Sequence, residues 1–178
     1  SKSLGNVINP MDLIDDYGVD PVRYYLMREM VLGQDANFTM ESFLKRYNSD
    51  LANDFGNLLS RVSTLMKKNY DGRIPEPGEL TSGEMKVQSD GENLGKIVNE
   101  KIESMRINEA IEETMQYIRS VNKYMEDNTP WKLVKEDKEG AGRVLYTAGE
   151  ALRIGAVLLS PIMPSRTAVL LDALNVQN

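Results

Sequence analysis

The sequence contains neither cysteine nor histidine. Disulfides, thiolate and imidazole metal sites, Ser/His or Cys/His nucleophilic pairs and histidine proton relays are therefore excluded by inventory. Long apolar runs are absent too. The stretch Ala156-Val157-Leu158-Leu159 stops at Ser160-Pro161, far short of the roughly 20 residues that a membrane-spanning helix needs. The opening residues lack the basic and apolar regions of a secretory signal, so the expected setting is the cytoplasm, with no membrane partner. Cations are also in deficit, with 21 Lys and Arg against 27 Asp and Glu and a formal charge of −6. That balance argues against DNA or indiscriminate nucleic-acid binding, which relies on a broad basic surface.

What remains is the composition of a soluble globular domain: 41% hydrophobic and 27% charged over 178 residues. Asn9-Pro10 is a helix entry, with Asn as cap and Pro in the first turn. Met11, Leu13, Ile14 and Tyr17 form a short apolar stripe that Gly18 ends, and Asp20-Pro21 repeats the entry signal before a second helix ending near Gly33. Val7-Ile8 and Ala36-Asn37-Phe38-Thr39 lean toward extended structure, and the two pieces are expected to pair. From Thr39 a long helical run carries Phe43, Tyr47, Leu51, Phe55, Leu58, Val62 and Met66 at spacings of three and four, up to about Asn69. Asp71 to Glu92 loses this periodicity to Gly, Pro, Ser and acids and reads as a surface loop. Further helices follow from Leu94 to Met105, from a cap at Asn108 to about Met125, over a short turn at Trp131 to Val134, from Gly140 to Leu159, and from Ala168 to Leu174.

Several segments are specific enough to compare with known families. Ser1-Lys2-Ser3-Leu4-Gly5-Asn6 resembles the tail of the KMSKS loop of class I aminoacyl-tRNA synthetases, and "VINPMDLIDDYGVDPVRYYLM" resembles its continuation. "NSDLANDFGNLLSR" at 48–61, "NTPW" at 128–131 and "LLSPIMPSRTAVLLDAL" at 158–174 are similar, in that order, to the anticodon-binding part of methionyl-tRNA synthetases. The last motif is shared across the class, while the other two point toward methionine.

The resemblance implies a mainly α fold: a small α/β stem-contact segment over residues 1–39, then an α-helical anticodon-binding bundle over 40–178, interrupted by the 71–92 surface loop. It implies recognition of the CAU anticodon stem-loop of methionine tRNAs, as the C-terminal part of a ligase that uses ATP to attach methionine. The catalytic nucleotide-binding domain, with its magnesium-ATP chemistry and a possible zinc site, would lie upstream, leaving this chain without cofactor or metal and inactive alone. Lys2 would match the KMSKS lysine that helps hold the ATP phosphates.

Asn57 and Arg61 stand four apart and share a helix face. An amide supplies a donor and an acceptor, and a guanidinium a planar fork of donors, which suits reading of base edges. Unpaired RNA bases are usually read while stacked on an aromatic plane, which Trp131, the only tryptophan, can supply. By resemblance Asn57, Arg61 and Trp131 contact the anticodon, with Asn53 as a weaker fourth. Lys45, Arg46, Arg61, Lys67, Lys68 and Arg73 suggest a local basic strip. Taken alone, these residues equally suit a structural bundle that docks a catalytic domain or partner, with Trp131 as a packing residue and the cations as solvated surface. A class I synthetase of neighbouring specificity, such as leucine or valine, is the third reading.

Overall fold

The structure is a computed structural model and describes residues 9–35 and 38–174. Two short helices, α1 (Pro10–Tyr17) and α2 (Val19–Glu29), lead to α3 (Met40–Arg46), a π-helical segment (Tyr47–Gly56) and α4 (Asn57–Asn69), which run on as one rod. There follow α5 (Ser82–Glu103), α6 (Ile107–Asn128), the single turn α7 (Pro130–Leu133), α8 (Lys138–Leu159) and α9 (Pro164–Ala173). Among the described residues there is no strand, and none of the helices is long and apolar enough to cross a membrane.

The entry signals act as local chemistry requires. The side chain of Asn9 accepts from the Met11 N–H at 3.1 Å, and Gly18, at φ 87°, makes the turn between α1 and α2 without the Cβ clash another residue would bring. Asp20 does a different job from the expected one. It lies inside α2, buried, and its carboxylate accepts from the Arg166 N–H at 2.7 Å, so it caps the N-terminus of α9 across 146 residues of sequence. Arg23 reinforces that junction by donating to the carbonyls of Ile162 and Pro161, both at 2.8 Å.

The expected strand pairing largely falls on Val7, Ile8, Ala36 and Asn37, which lie outside the described residues. Phe38 and Thr39 are described and are not strand. Phe38 packs edge-on against Tyr25, and Thr39 caps α3 by accepting from the Ser42 N–H at 3.1 Å. Phe38 packs on a small cluster of Leu13, Val22, Tyr25 and Phe43, with Tyr17 and Tyr47 around it, so the first packing unit reaches past residue 39 into the long rod.

The main core lies between α4, α5, α6 and α8. Ile111, Met115, Ile118, Val121 and Met125 line one face of α6 at helical spacing, and Leu145, Leu152 and Leu159 do the same on α8. The surface loop expected over 71–92 is corrected by this core: α5 starts at Ser82, which leaves only the connection between Asn69 and Ser82. Two features hid the helix. Its buried stripe runs Val87, Gly91, Leu94 and Val98, and one of the four is a glycine where a Cβ would stand 2.7 Å from the Tyr117 Oη and 2.9 Å from the Ile154 Cδ1. Close approach to α6 and α8 therefore needs the residue that breaks the sequence pattern. The start signal is a capping box, with the Glu84 carboxylate accepting from the Thr81 N–H at 2.8 Å and from the Thr81 hydroxyl. The next helix also starts slightly earlier than read, capped at Arg106 rather than Asn108, because Met105 turns the chain at φ 58°.

Glu84 is buried and also accepts from the Tyr124 hydroxyl at 2.6 Å. Burial acts to raise its pKa, but the Thr81 and Tyr124 hydrogen bonds outweigh burial and hold it below the ordinary carboxylate value. A depressed acid stabilises the fold above its unfolded-state pKa, and that contribution is lost as pH falls through the folded-state value. Glu84→Gln is expected to cost about 1–2 kcal/mol at neutral pH in urea denaturation, with the difference from the unsubstituted chain vanishing at acidic pH.

Candidate nucleic-acid interface

Trp131 is set outward by its neighbours. Helix α6 ends at Thr129 in the left-handed conformation, φ 39° and ψ 57°, and the Thr129 carbonyl then accepts from the Lys132 and Leu133 N–H groups at 2.9 and 3.0 Å. In the single turn that results, Pro130 is buried and Leu133 packs against the core. Trp131 lies between them on the outer side and keeps 37% of its surface exposed. Asn128 donates to the Tyr124 carbonyl at 2.9 Å and so serves the helix end.

Arg61 approaches from the other part of the chain. Its guanidinium carbon is 5.7 Å from the centroid of the Trp131 ring, within cation–π range. One of its terminal nitrogens is 3.5 Å from the Glu126 Oε1. Asn57 is the first residue of α4, exposed, one turn before Arg61. The structure thus brings Arg61 and Trp131 into contact and puts Asn57 on the adjoining turn. Asn53 is exposed but belongs to the π-helical segment. Because the Asn57 N–H donates to the Ala52 carbonyl, five residues back, Ala52 and not Asn53 precedes Asn57 in the ladder. Asn53 is therefore rotated off the Asn57–Arg61 line. Lys2 lies outside the described residues.

The long rod is pinned to α6 by residues that sequence reading did not single out. The Asn122 amide donates to the Asp54 main-chain carbonyl at 2.8 Å. This bond fixes the end of the i→i+5 stretch against the middle of α6. Arg119 lies 3.3 Å from the Asp54 carboxylate and 2.6 Å from Glu112. Burial raises the pKa of Asp54 against the opposing pull of Arg119, with Asp50 and Glu112 adding to the rise. Only a weak signal existed: polar residues at 119 and 122 on a helix whose other face is apolar, with partners more than sixty residues away.

The charge pattern is narrower than the expected strip. Arg46 is half-buried and is taken up by Glu29 at 2.6 Å and Asp50 at 3.7 Å, so it is engaged within the fold. Lys45, Lys67, Lys68, Arg73, Lys132 and Lys135 are exposed. Glu126 in the last turn of α6 places negative charge beside Arg61. A phosphate backbone would be drawn to the lysines and kept off the Arg61–Trp131 edge, which suits contact with uncharged bases. Among the described residues no group of three or more acidic side chains could hold a metal ion.

Comparison with known proteins places the chain in a family. Residues 1–63 match the family described as tRNA synthetases class I (M), and residues 74–178 match the anticodon binding domain of methionyl tRNA ligase. The chain is 40% identical to a methionine-tRNA ligase of Caldanaerobacter subterraneus subsp. tengcongensis over 99% of its own length and 28% of that relative. It is 39% identical to the Mycobacterium leprae methionine-tRNA ligase over 98% of its length and 33% of that relative. The chain thus spans about a third or less of these relatives. A crystal structure of Mycobacterium tuberculosis methionyl-tRNA synthetase bound by methionyl-adenylate superposes with a TM-score of 0.92 at 36% identity, covering 97% of this chain and 35% of that one.

Removing the Asn122 amide leaves the Asp54 carbonyl without that partner at the point where the rod meets α6. Asn122→Ala is expected to lower stability by about 1–3 kcal/mol in urea denaturation. The exposed Asn57→Ala serves as the comparison and should change stability by less than about 0.5 kcal/mol.

Proposed function

Since the chain belongs to the methionyl-tRNA ligase family through its anticodon-binding domain, we propose that it reads the CAU anticodon loop of methionine tRNAs. The observation that carries this is the contact between Arg61 and the half-exposed Trp131 ring, with Asn57 one turn away. Trp131 supplies a face on which an unpaired base stacks. Arg61 and Asn57 supply donors and an acceptor for the edges of the neighbouring bases. Arg61 is held against the ring before RNA arrives, so less side-chain freedom is lost on binding. Asn53 is a lesser contact, displaced from the line of the other two. In the longer ligases, methionine activation with ATP, magnesium and any zinc falls to the part that this chain does not span. Lys2 would take its phosphate-holding role only in that company, and this chain alone should not activate methionine.

The test is a titration of the chain at fixed low salt with anticodon stem-loops carrying CAU or a changed first base. Stacking on an aromatic side chain contributes about 1–3 kcal/mol per base, so Trp131→Ala should weaken CAU binding by about 10- to 100-fold. Its melting profile should stay close to that of the unsubstituted chain. Equal binding of the two loops would defeat the proposal, and collapse of the fold in Trp131→Ala would make the tryptophan a packing residue instead.

A further inference from the structure

Asp50 and Phe55 are both buried in the π-helical segment, at 3% and 6% exposure, and five residues separate them. On an α-helix, at about 100° per residue, they would point about 140° apart. Pairing from i to i+5 turns both toward the interior. The flanking spacing locates the offset. Phe43 lies seven residues before Asp50, Val62 lies seven after Phe55, and seven residues make nearly two α-helical turns. Two regular stripes, one facing the small aromatic cluster and one facing the main core, are therefore joined between Asp50 and Phe55.

Phe55 is held by apolar packing in the main core, and Asp50 holds the other side by charge. Its carboxylate accepts from the Tyr24 hydroxyl at 2.8 Å and lies 3.8 Å from the Arg28 Nε and 3.7 Å from the Arg46 Nη1. Burial, and then the Asp50 charge, push the Tyr24 pKa far above its ordinary value, so the hydroxyl stays a donor. Arg28 also pairs with Glu112 of α6, Glu112 with Arg119, and Arg119 with the Asp54 carboxylate. These contacts tie the π-helical segment to α2 on one side and to α6 on the other. A slip to regular α pairing would rotate Asp50 by about 100° relative to Phe55, and a buried carboxylate stripped of its partners is strongly disfavoured.

We propose that Asp50 is a positioning residue for base reading: by holding the π register it sets the orientation of Asn53 relative to Asn57 and Arg61, and ties that orientation to α2. Asp50 lies on the buried face of the rod and does not itself meet RNA. The role rests on the anticodon reading proposed above.

The experiment compares the unsubstituted 178-residue chain with Asp50→Asn, which keeps shape and removes charge, and with Tyr24→Phe, which removes one hydroxyl. Each is titrated with the CAU and changed-base stem-loops at a temperature where its circular dichroism shows it folded, and amide exchange is followed over residues 53–58. Asp50→Asn should bind CAU about 10-fold more weakly and the changed loop nearly as before, so that discrimination shrinks, within the usual range of coupling between sites. Amides 53–58 should exchange faster while those of α8 stay protected. Tyr24→Phe should move both readouts the same way, by about 3-fold in affinity. A folded Asp50→Asn with unchanged discrimination overturns the proposal, because a purely stabilising residue would move the melting point alone. Should Asp50→Asn fail to fold, unchanged discrimination in Tyr24→Phe overturns it. Failure of the unsubstituted chain to discriminate removes the anticodon reading itself, and intact discrimination in all three proteins removes only the role of Asp50.

Discussion

The rod from Met40 to Asn69 has to face two cores at once, and a regular α-helix cannot present Asp50 and Phe55 to the same side. The π-helical segment resolves the conflict at the cost of less favourable hydrogen-bond geometry, which tertiary contacts must offset. Those contacts come from Tyr24, Arg28 and Arg46 around Asp50 and from Asn122 and Arg119 around Asp54. They are the same contacts that hold α2 and α6 against the rod. The register of one helix and the mutual placement of the two packing units are therefore one problem with one solution.

The candidate interface inherits that solution. Arg61 lies on α4 just past the π-helical segment, and Trp131 sits at the end of α6, so their meeting depends on how those helices pack. The packing is mostly apolar: Leu58, Val62 and Met66 have almost no exposed surface in the shared core, where α4 packs on α8 and the π-helical segment on α6. Polar contacts then choose among the ways such stripes can slide. Asn122 on the Asp54 carbonyl is one selecting contact, and Arg119 on the Asp54 carboxylate is another. Apolar area supplies the binding strength between the helices, and the directional bonds supply the register.

Much of this was legible in the residues, and the exceptions have physical causes. The long rod, α6, α8 and the breaks at Gly18 and Pro130 follow from periodicity and punctuation, and the pairing of Asn57 with Arg61 follows from their spacing. The 71–92 stretch was misread because Gly91 occupies a core position, so the stripe showed a gap where the helices touch most closely. The Thr81–Glu84 capping box was present in the letters but was outweighed by composition. Arg46 read as a free surface cation because Glu29 becomes its partner only when α2 folds against the rod, while Asp50 lies four residues along the rod itself. The π-helical segment left a trace in the buried set, where Phe43, Asp50 and Phe55 stand seven and five residues apart, but the partly buried Tyr47 and Leu51 fill the gap and restore an apparent spacing of three and four.

An acidic chain is an unexpected place to look for RNA recognition, and the layout shows why the overall sign matters little. Affinity for phosphate scales with the cations that can reach the backbone, and here they lie near the end of α4 and beside α7. Glu126 sits at the Arg61–Trp131 edge, where negative charge opposes a phosphate but not the face of a base. Broad attraction to any RNA is thereby weakened, while stacking and edge contacts keep their strength. Discrimination depends on the difference between right and wrong partners, and phosphate attraction common to both cancels from it, so selectivity in the proposed reading rests on stacking and edge contacts.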